Sequence, residues 1–482
     1  MHSLNRKIGA GVFWNLASTF LTRGASTLFL LFLARILAPD AFGLIAMATV
    51  VFELANAFVN SGLGAALIRS KNVSNTDLNT IFLANLGLSV VAYAIIFASA
   101  PYIALFYSQT ELVALVQVTG LIVFINAAKI VPTVVLSRKM DFKTQMKANT
   151  TAAVVSGVLA VTTAYQGWGV WSLVVQMLSQ AAISTVILGI GGNWRPSWQF
   201  SKESFARLFA FGRNLLAESL LQVAFQNSYI LVIGRFFSAE LTGLYFFAKK
   251  ISNLISKQLT GAVQQATFPG LATLQDDNAA LKYKYRQIMQ LMIFLIAPVM
   301  MLLAALAVPL ISFLFDQQWQ EATLFLQLLC IVGMIFPIHA LNINLLNVKG
   351  RSDLVLRVGL IKKTVNLSLL FLAIPYGVLG IVASQVIAAF LALIPNTYFS
   401  VKLVGYSLRE QINDVIKPIS AAILSGTSAW LLVQLLTTHQ IVTVLLSGLL
   451  GVGVYLATSV VIRAEGFVML WERLSKRLPR AK

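Results

Sequence analysis

The sequence has one cysteine in 482 residues, Cys330, and it lies inside an apolar run. An internal disulfide is therefore excluded, and no Cys/His spacing suggests a zinc site. Charge is also scarce: 11% of residues are Asp, Glu, Lys or Arg, against about 25% in soluble domains. Too few charges remain to coat a water-exposed surface. Acids are scarcer than bases, 17 against 36, for a formal net charge of +19. No Lys/Arg-rich segment forms a separate soluble domain, so nucleic acid binding is excluded. The bases recur between apolar runs, as the positive-inside rule requires of a membrane protein. Motifs for phosphate or metal chemistry are missing too: there is no Walker loop, HExxH or nucleophile elbow, and no GxGxxG after a strand. No catalytic residue, cofactor or metal is expected, and the chain is not read as an enzyme.

Hydrophobic length is abundant, with 58% of residues apolar. A bilayer core needs about 20 mostly apolar residues per helix. Such runs fall at 11–34, 44–67, 78–100, 112–135, 148–164, 168–190, 208–233, 243–267, 287–314, 322–346, 355–374, 377–400, 415–436 and 440–462. The expected fold is an all-α membrane protein of about fourteen transmembrane helices. The run at 148–164 is short and polar at its start. Arg6 and Lys7 before the first run resemble the start of a signal peptide. That run is too long for one and reads as a first membrane anchor. Gly448, Gly451 and Gly453 fall in the last span, where small residues serve close helix packing.

The bases alternate with the spans. Arg6 and Lys7, then Arg69 and Lys71, Arg138 to Lys147, Arg195 to Arg207, Lys282 to Arg286, Lys349 and Arg351, Lys402 and Arg409, and the tail bases from Arg463 onward all fall on one side. The opposite loops are short, and their only bases are Arg35 and Arg235. Both termini are thereby expected in the cytoplasm. In the tail, Phe467, Leu470, Trp471, Leu474 and Leu478 share a helical face opposite Arg473, Lys476 and Arg477. This pattern predicts an amphipathic helix on an anionic membrane surface. Trp194 and Trp198 with Arg195 and Lys202 predict a second one between the halves.

An internal repeat is visible. Arg35, Asp40, Gly43 and Leu44 recur in register as Arg235, Glu240, Gly243 and Leu244, and Trp168-Gly169-Val170 resembles Leu379-Gly380-Ile381. A unit of six helices gives both copies the same orientation, with a substrate path between the bundles. The expected organisation is an N-terminal six-helix bundle (1–192), an interfacial linker (193–207), a C-terminal six-helix bundle (208–403), an additional helix pair (404–462) and a basic amphipathic cytoplasmic tail (463–482).

Ionisable groups inside a span cost about 2.5–3.5 kcal/mol on insertion scales and face a wet cavity or a partner. Here they are Arg23, Glu53, Lys129, Glu218, Lys249, Lys250 and Lys257. Glu53, Asn56 and Asn60 share one helical face, as do Glu218, Gln222, Gln226 and Tyr229. Asn253 and Gln264 accompany the lysines of the eighth span, and His339, Asn342 and Asn347 lie on the tenth. These residues are expected to line a substrate cavity, with interhelical hydrogen bonding the competing reading for the amides. Excess positive charge suits an anionic cargo such as a phosphate or pyrophosphate head group, or acidic sugars. Glu218 and Glu53 are coupling-ion candidates, for H+ or Na+, or else ion-pair partners of the bases.

Several motifs carry a resemblance: Arg35-x-Leu37-x-Pro39-x-x-Phe42-Gly43, Arg195-Pro196 followed by Phe211-Gly212, Phe268-Pro269-x-Leu271-Ala272-x-Leu274-Gln275-Asp276-Asp277, and Trp319 before Leu326-Gln327-Leu328-Leu329. In this order the chain resembles the polysaccharide and lipopolysaccharide exporter flippases, of the Wzx and colanic-acid-exporter type. These belong to the multidrug/oligosaccharidyl-lipid/polysaccharide superfamily. The resemblance implies alternating access between two six-helix bundles in a bacterial cytoplasmic (inner) membrane. It implies moving an undecaprenyl-pyrophosphate-linked oligosaccharide to the outer leaflet, with membrane lipids, a polysaccharide polymerase and export machinery as partners. An ion-coupled multidrug or small-molecule exporter is the alternative. A membrane glycosyl polymerase would need catalytic groups in sizeable external loops, which are absent.

Overall fold

The apolar runs fold as helices whose ends are set by short polar residues and by turns with positive φ. The computed structural model describes residues 2–60, 62–436 and 439–475, without the side chains of 2–13, 15, 16, 211, 213, 214, 269, 473 and 474. Among the described residues there is no strand. In chain order the helices are α1 (His2–Ile36), α2 (Pro39–Asn60), α3 (Leu63–Arg69), α4 (Asn75–Tyr107), α5 (Leu112–Gly120), α6 (Ile122–Arg138), α7 (Phe142–Tyr165), α8 (Trp171–Gly192) and α9 (Lys202–Phe236). They continue with α10 (Ala239–Ala272), α11 (Asn278–Ala305), α12 (Ala307–Leu314), α13 (Ala322–Val348), α14 (Ser352–Ala373), α15 (Gly377–Leu391), α16 (Leu393–Val404), α17 (Leu408–Leu435), α18 (Gln440–Val461) and α19 (Glu465–Ser475).

Ser74 and Ser407 each complete a reciprocal capping box, with Asp77 and Glu410. Such pairs satisfy two backbone donors that a helix start otherwise leaves orphaned. Asp141 and Asp277 cap α7 and α11 with their side chains. Four expected spans are broken once: at α2/α3, at Leu121, at Leu306 and at Ala392. Apolarity runs on through the last three, whereas Asn60, Ser61 and Gly62 interrupt it at the first.

Among the described residues, eleven segments are long and apolar enough to cross a membrane. One of them, Ser352–Val404, has 53 residues, far beyond the roughly 20 that one crossing needs. It is interrupted by a 3-10 turn at Ile374–Tyr376. Helices α7 and α10 have 24 and 34 residues, lengths that suffice, but Lys143 and Lys147 in the one and Lys249, Lys250 and Lys257 in the other lower their apolarity.

The chain forms two compact units, Met1–Gly243 and Leu244–Lys482. In the first, Leu63, Leu67, Leu78, Ile81, Val131, Val134 and Leu208 make one buried cluster. In the second, the ring of Phe247 meets Trp319 at 4.6 Å and Phe315 at 5.1 Å, all three buried. Large apolar side chains such as Leu105, Ile190, Leu372, Leu435 and Val461 are exposed, as surfaces solvated by lipid require. Of the three glycines in the last span, Gly451 is the tightest contact: Ser425 Oγ donates to its carbonyl at 2.7 Å, while Gly453 has open space beside it.

The segment expected as an amphipathic linker is non-helical from 193 to 201. Pro196 removes a backbone donor, and α4 takes the segment up instead. Asn79 Oδ1 accepts from Ser197 N–H and Thr80 Oγ1 from Ser201 N–H, both at 3.0 Å. Trp194 docks edge-on against Phe82 at 5.4 Å, whereas Trp198 is exposed. The tail helix is present as α19, with Phe467 and Trp471 stacked at 6.1 Å. Lys476, Arg477 and Leu478 lie outside the described residues, and so do the side chains of Arg473 and Leu474.

The backbone repeats itself where the sequence barely does. After α1 and α9 the chain turns with the same bond, Leu37 N–H to Leu33 O and Phe237 N–H to Ile233 O. Met140 (φ 56°) and Gly350 (φ 67°) end α6 and α13 in the left-handed region. The next residues, Asp141 and Arg351, donate back to Leu136 O and Leu346 O, both at 2.9 Å. Gly167 and Gly377 also match in sign of φ, as do Asn193 and Gly405. Within the first unit, a methyl on Gly43 would overlap the Ala239 carbonyl oxygen, and one on Gly243 would overlap that of Pro39. The two contacts are reciprocal, each glycine standing where only a missing side chain lets backbones approach.

Candidate functional site

The polar residues expected along the spans divide between the two units. In the first, Glu53 on α2 accepts from Asn227 Nδ2 of α9 at 2.7 Å. Asn56, one turn further on, accepts instead from Asn126 Nδ2 of α6 at 3.1 Å. The expected single face of α2 thus serves two helices, and Asn60 at its end is exposed. Arg23 on α1 and Glu218, Gln222 and Gln226 on α9 are also exposed, while Tyr229 is buried.

Lys129 is set apart from these groups. It lines a cavity of about 250 Å³ inside the first unit, with Thr22, Asn126, Asn149, Gln180 and Ser184. The cavity is walled by α1, α6, α7 and α8. Sequence reading found Lys129 but missed the amides around it. Asn126 stands one turn before it on the same helix, a spacing that places both on one face. Asn149 and Gln180 come from other helices, and nothing in their local sequence marks them.

In the second unit the three lysines of α10 each lie beside an aromatic ring. Lys249 Nζ is 5.5 Å from the Tyr245 ring, Lys250 Nζ 5.4 Å from Phe246, and Lys257 Nζ 5.9 Å from Phe336. Cation–π contacts of this kind contribute about 0.5–1 kcal/mol at exposed sites. Lys250 and Lys257 remain exposed. Asn253 is half-buried, and Gln264 Nε2 donates to Ala340 O at 2.8 Å.

Asn342 belongs to a buried network and not to an open wall. It donates to Gln411 Oε1 at 3.0 Å and accepts from Ser400, tying α13 to α16 and α17. The network continues in Asp414, which takes both guanidinium donors of Arg286 at 2.7 Å, Gln290 Nε2 at 2.9 Å and the Tyr406 hydroxyl at 2.7 Å. Burial, with Asp414 as acceptor, raises the Tyr406 phenol above its ordinary range, which keeps it a donor. His339 is buried next to Asn396, whose amide meets its Nδ1. In the first unit a smaller clamp joins Arg207 on α9 to the buried Asp77 of α4 at 2.6 Å.

The whole chain resembles solved membrane transporters. The lipid II flippase MurJ in an inward closed conformation superposes with a TM-score of 0.75, covering 92% of this chain and 97% of that one at 14% identity. An inward-facing multidrug resistance MATE family transporter of the MOP superfamily gives 0.61, covering 84% and 96% at 14% identity. At these identities the likeness is one of fold. In sequence, the chain is 25% identical over 386 residues to the lipopolysaccharide biosynthesis protein WzxC of Escherichia coli (strain K12), covering 78% of this chain and 76% of that one. It is 25% identical over 336 residues to the succinoglycan biosynthesis transport protein ExoT of Rhizobium meliloti (strain 1021), covering 70% and 67%. Residues 32–324 match the family model described as polysaccharide biosynthesis protein, and the chain belongs to that family.

Proposed function

We propose that the protein is a flippase that carries an undecaprenyl-pyrophosphate-linked oligosaccharide repeat unit from the cytoplasmic to the outer leaflet of the bacterial inner membrane, by alternating access, for surface polysaccharide export. The chain-long fold likeness to a lipid II flippase carries this reading. The relatives named for lipopolysaccharide and succinoglycan biosynthesis support the cargo class. Fourteen helices cross the membrane in it, as bundles 1–192 and 208–403 joined by the linker 193–207, with the added pair 404–462, the tail 463–482 and both termini cytoplasmic. The cargo's partners are the surrounding lipids and, after transfer, a polymerase and export machinery.

Lys250, Lys257 and Arg23 are exposed on the long helices α10 and α1. Facing lipid would cost each about 2.5–3.5 kcal/mol, so in this reading each faces water, where a pyrophosphate or acidic sugar is attracted. Net positive charge there disfavours cationic drugs, the cargo of the multidrug alternative. Glu218 and Glu53 are the groups available to carry a coupling H+ or Na+.

Deleting the gene should cause a lipid-linked oligosaccharide to accumulate, and its mass identifies the repeat unit. No accumulation would sink the flippase reading. Lys250→Gln with Lys257→Gln should abolish export at normal membrane abundance; unchanged export would remove these lysines from the path. Glu218→Gln should remove dependence on the proton gradient in reconstituted vesicles, and retained dependence excludes that role.

A further inference from the structure

The cavity at Lys129 has a chemistry distinct from the exposed bases. Its six polar lining residues, Thr22, Asn126, Lys129, Asn149, Gln180 and Ser184, include no carboxylate. Several are already engaged: Thr22 Oγ1 meets Thr150 Oγ1 at 3.2 Å, Asn126 donates to Asn56, and Ser184 donates to Ala181 O. Three nitrogen donors remain with no partner among the described residues, namely Lys129 Nζ, Asn149 Nδ2 and Gln180 Nε2, one from each of α6, α7 and α8.

An ammonium half-buried within a helical bundle is stabilised by water or by a counter-charge, because taking it from water costs several kcal/mol. Among the described residues no acid lines the cavity. We infer that this cavity binds a small monovalent anion, a halide or a carboxylate, on Lys129, with Asn149 and Gln180 as the neutral donors that orient it. A volume of about 250 Å³ holds a chloride with several waters, at roughly 30 Å³ per water. It also admits the carboxylate of an acidic sugar. Glu53 of α2 does not line the cavity and accepts from Asn227 on α9.

The test uses the full-length protein in lipid nanodiscs. Its unfolding temperature is followed against added sodium chloride, sodium glucuronate or neutral glucose, with ionic strength held by a bulky sulfonate salt. Wild type and Lys129→Arg should show a saturable rise with at least one of the two anions and none with glucose. A response to chloride alone identifies a free halide as the ligand, and a response to glucuronate alone identifies an acidic sugar. Lys129→Met should abolish the rise, and Gln180→Leu, which keeps the charge, should shift its midpoint at least tenfold higher. The inference is overturned if neither anion gives a saturable rise, or if Lys129→Met, or Gln180→Leu should the former not fold, responds as wild type does.

Discussion

Lys129 and His339 stand at the same place in the two halves, each ten residues before the lysine (Lys139 or Lys349) that precedes a left-handed helix end. The halves treat them in opposite ways. Around Lys129 there is a cavity walled by donors; around His339 there is close packing, with its Nδ1 against Asn396 and its Nε2 without a partner. The side chains explain the difference. A neutral imidazole tolerates a dry interior with one hydrogen bond, whereas an ammonium there requires water or an anion. The repeat has kept its backbone geometry and exchanged its interior chemistry.

A second pair of features runs parallel to the first. In each unit a buried aspartate joins a bundle helix to the first helix beyond the expected six, through a more exposed arginine. Asp77 of α4 holds Arg207 of α9, and Arg286 of α11 holds Asp414 of α17. The charges are reversed between the two. The second clamp is also the richer, because Asp414 accepts four hydrogen bonds from three residues.

Exchanging the two bases attacks the comparison most directly. His339→Lys should lower stability by about 3 kcal/mol, since it places an unpaired ammonium in a packed site. Lys129→His should cost under about 1 kcal/mol, in the range of ordinary substitutions. Thermal unfolding in nanodiscs compares them, and equal losses would mean that the two interiors are equivalent after all. Removing the acids comes next. Asp414→Ala should cost about 3 kcal/mol, because Gln290, Tyr406 and Arg286 all lose their acceptor. Asp77→Ala should cost about 1–2 kcal/mol, the loss of a helix cap and of a pair whose arginine is mostly solvated. The smallest effect is a gain: Met140→Gly should stabilise by up to about 1 kcal/mol, since its repeat partner Gly350 shows that the turn wants a residue at ease with positive φ. No change there would mean that the two helix ends differ in strain despite sharing their bonds.

Most of the helices, and the repeat at Arg35 and Arg235, were legible because apolar length and charge alternation are one-dimensional signals. The breaks at Leu121, Leu306 and Ala392 were not, as apolarity is unchanged across them. Periodicity also names a face without naming its partner. Glu53 and Asn56 share a face by spacing, yet they bond to α9 and α6 respectively. The lysines of α10 were found because charge in a span is conspicuous. Asn227, Asn149 and Gln180 were missed because a lone amide looks the same whether it bridges helices or lines a void. The expected linker helix was misread for a related reason: its tryptophans and bases suggested an amphipathic helix, while Asn79 and Thr80, far away in sequence, bind its backbone at Ser197 and Ser201.

The mutual contact of Gly43 and Gly243 has a consequence for how such a chain can change over time. Because each glycine leaves room for the carbonyl opposite the other, neither copy of the turn is free to drift alone. A methyl gained in one is felt at once by its twin, so two stretches that began as duplicates remain bound to a common fate long after most of their other residues have parted company.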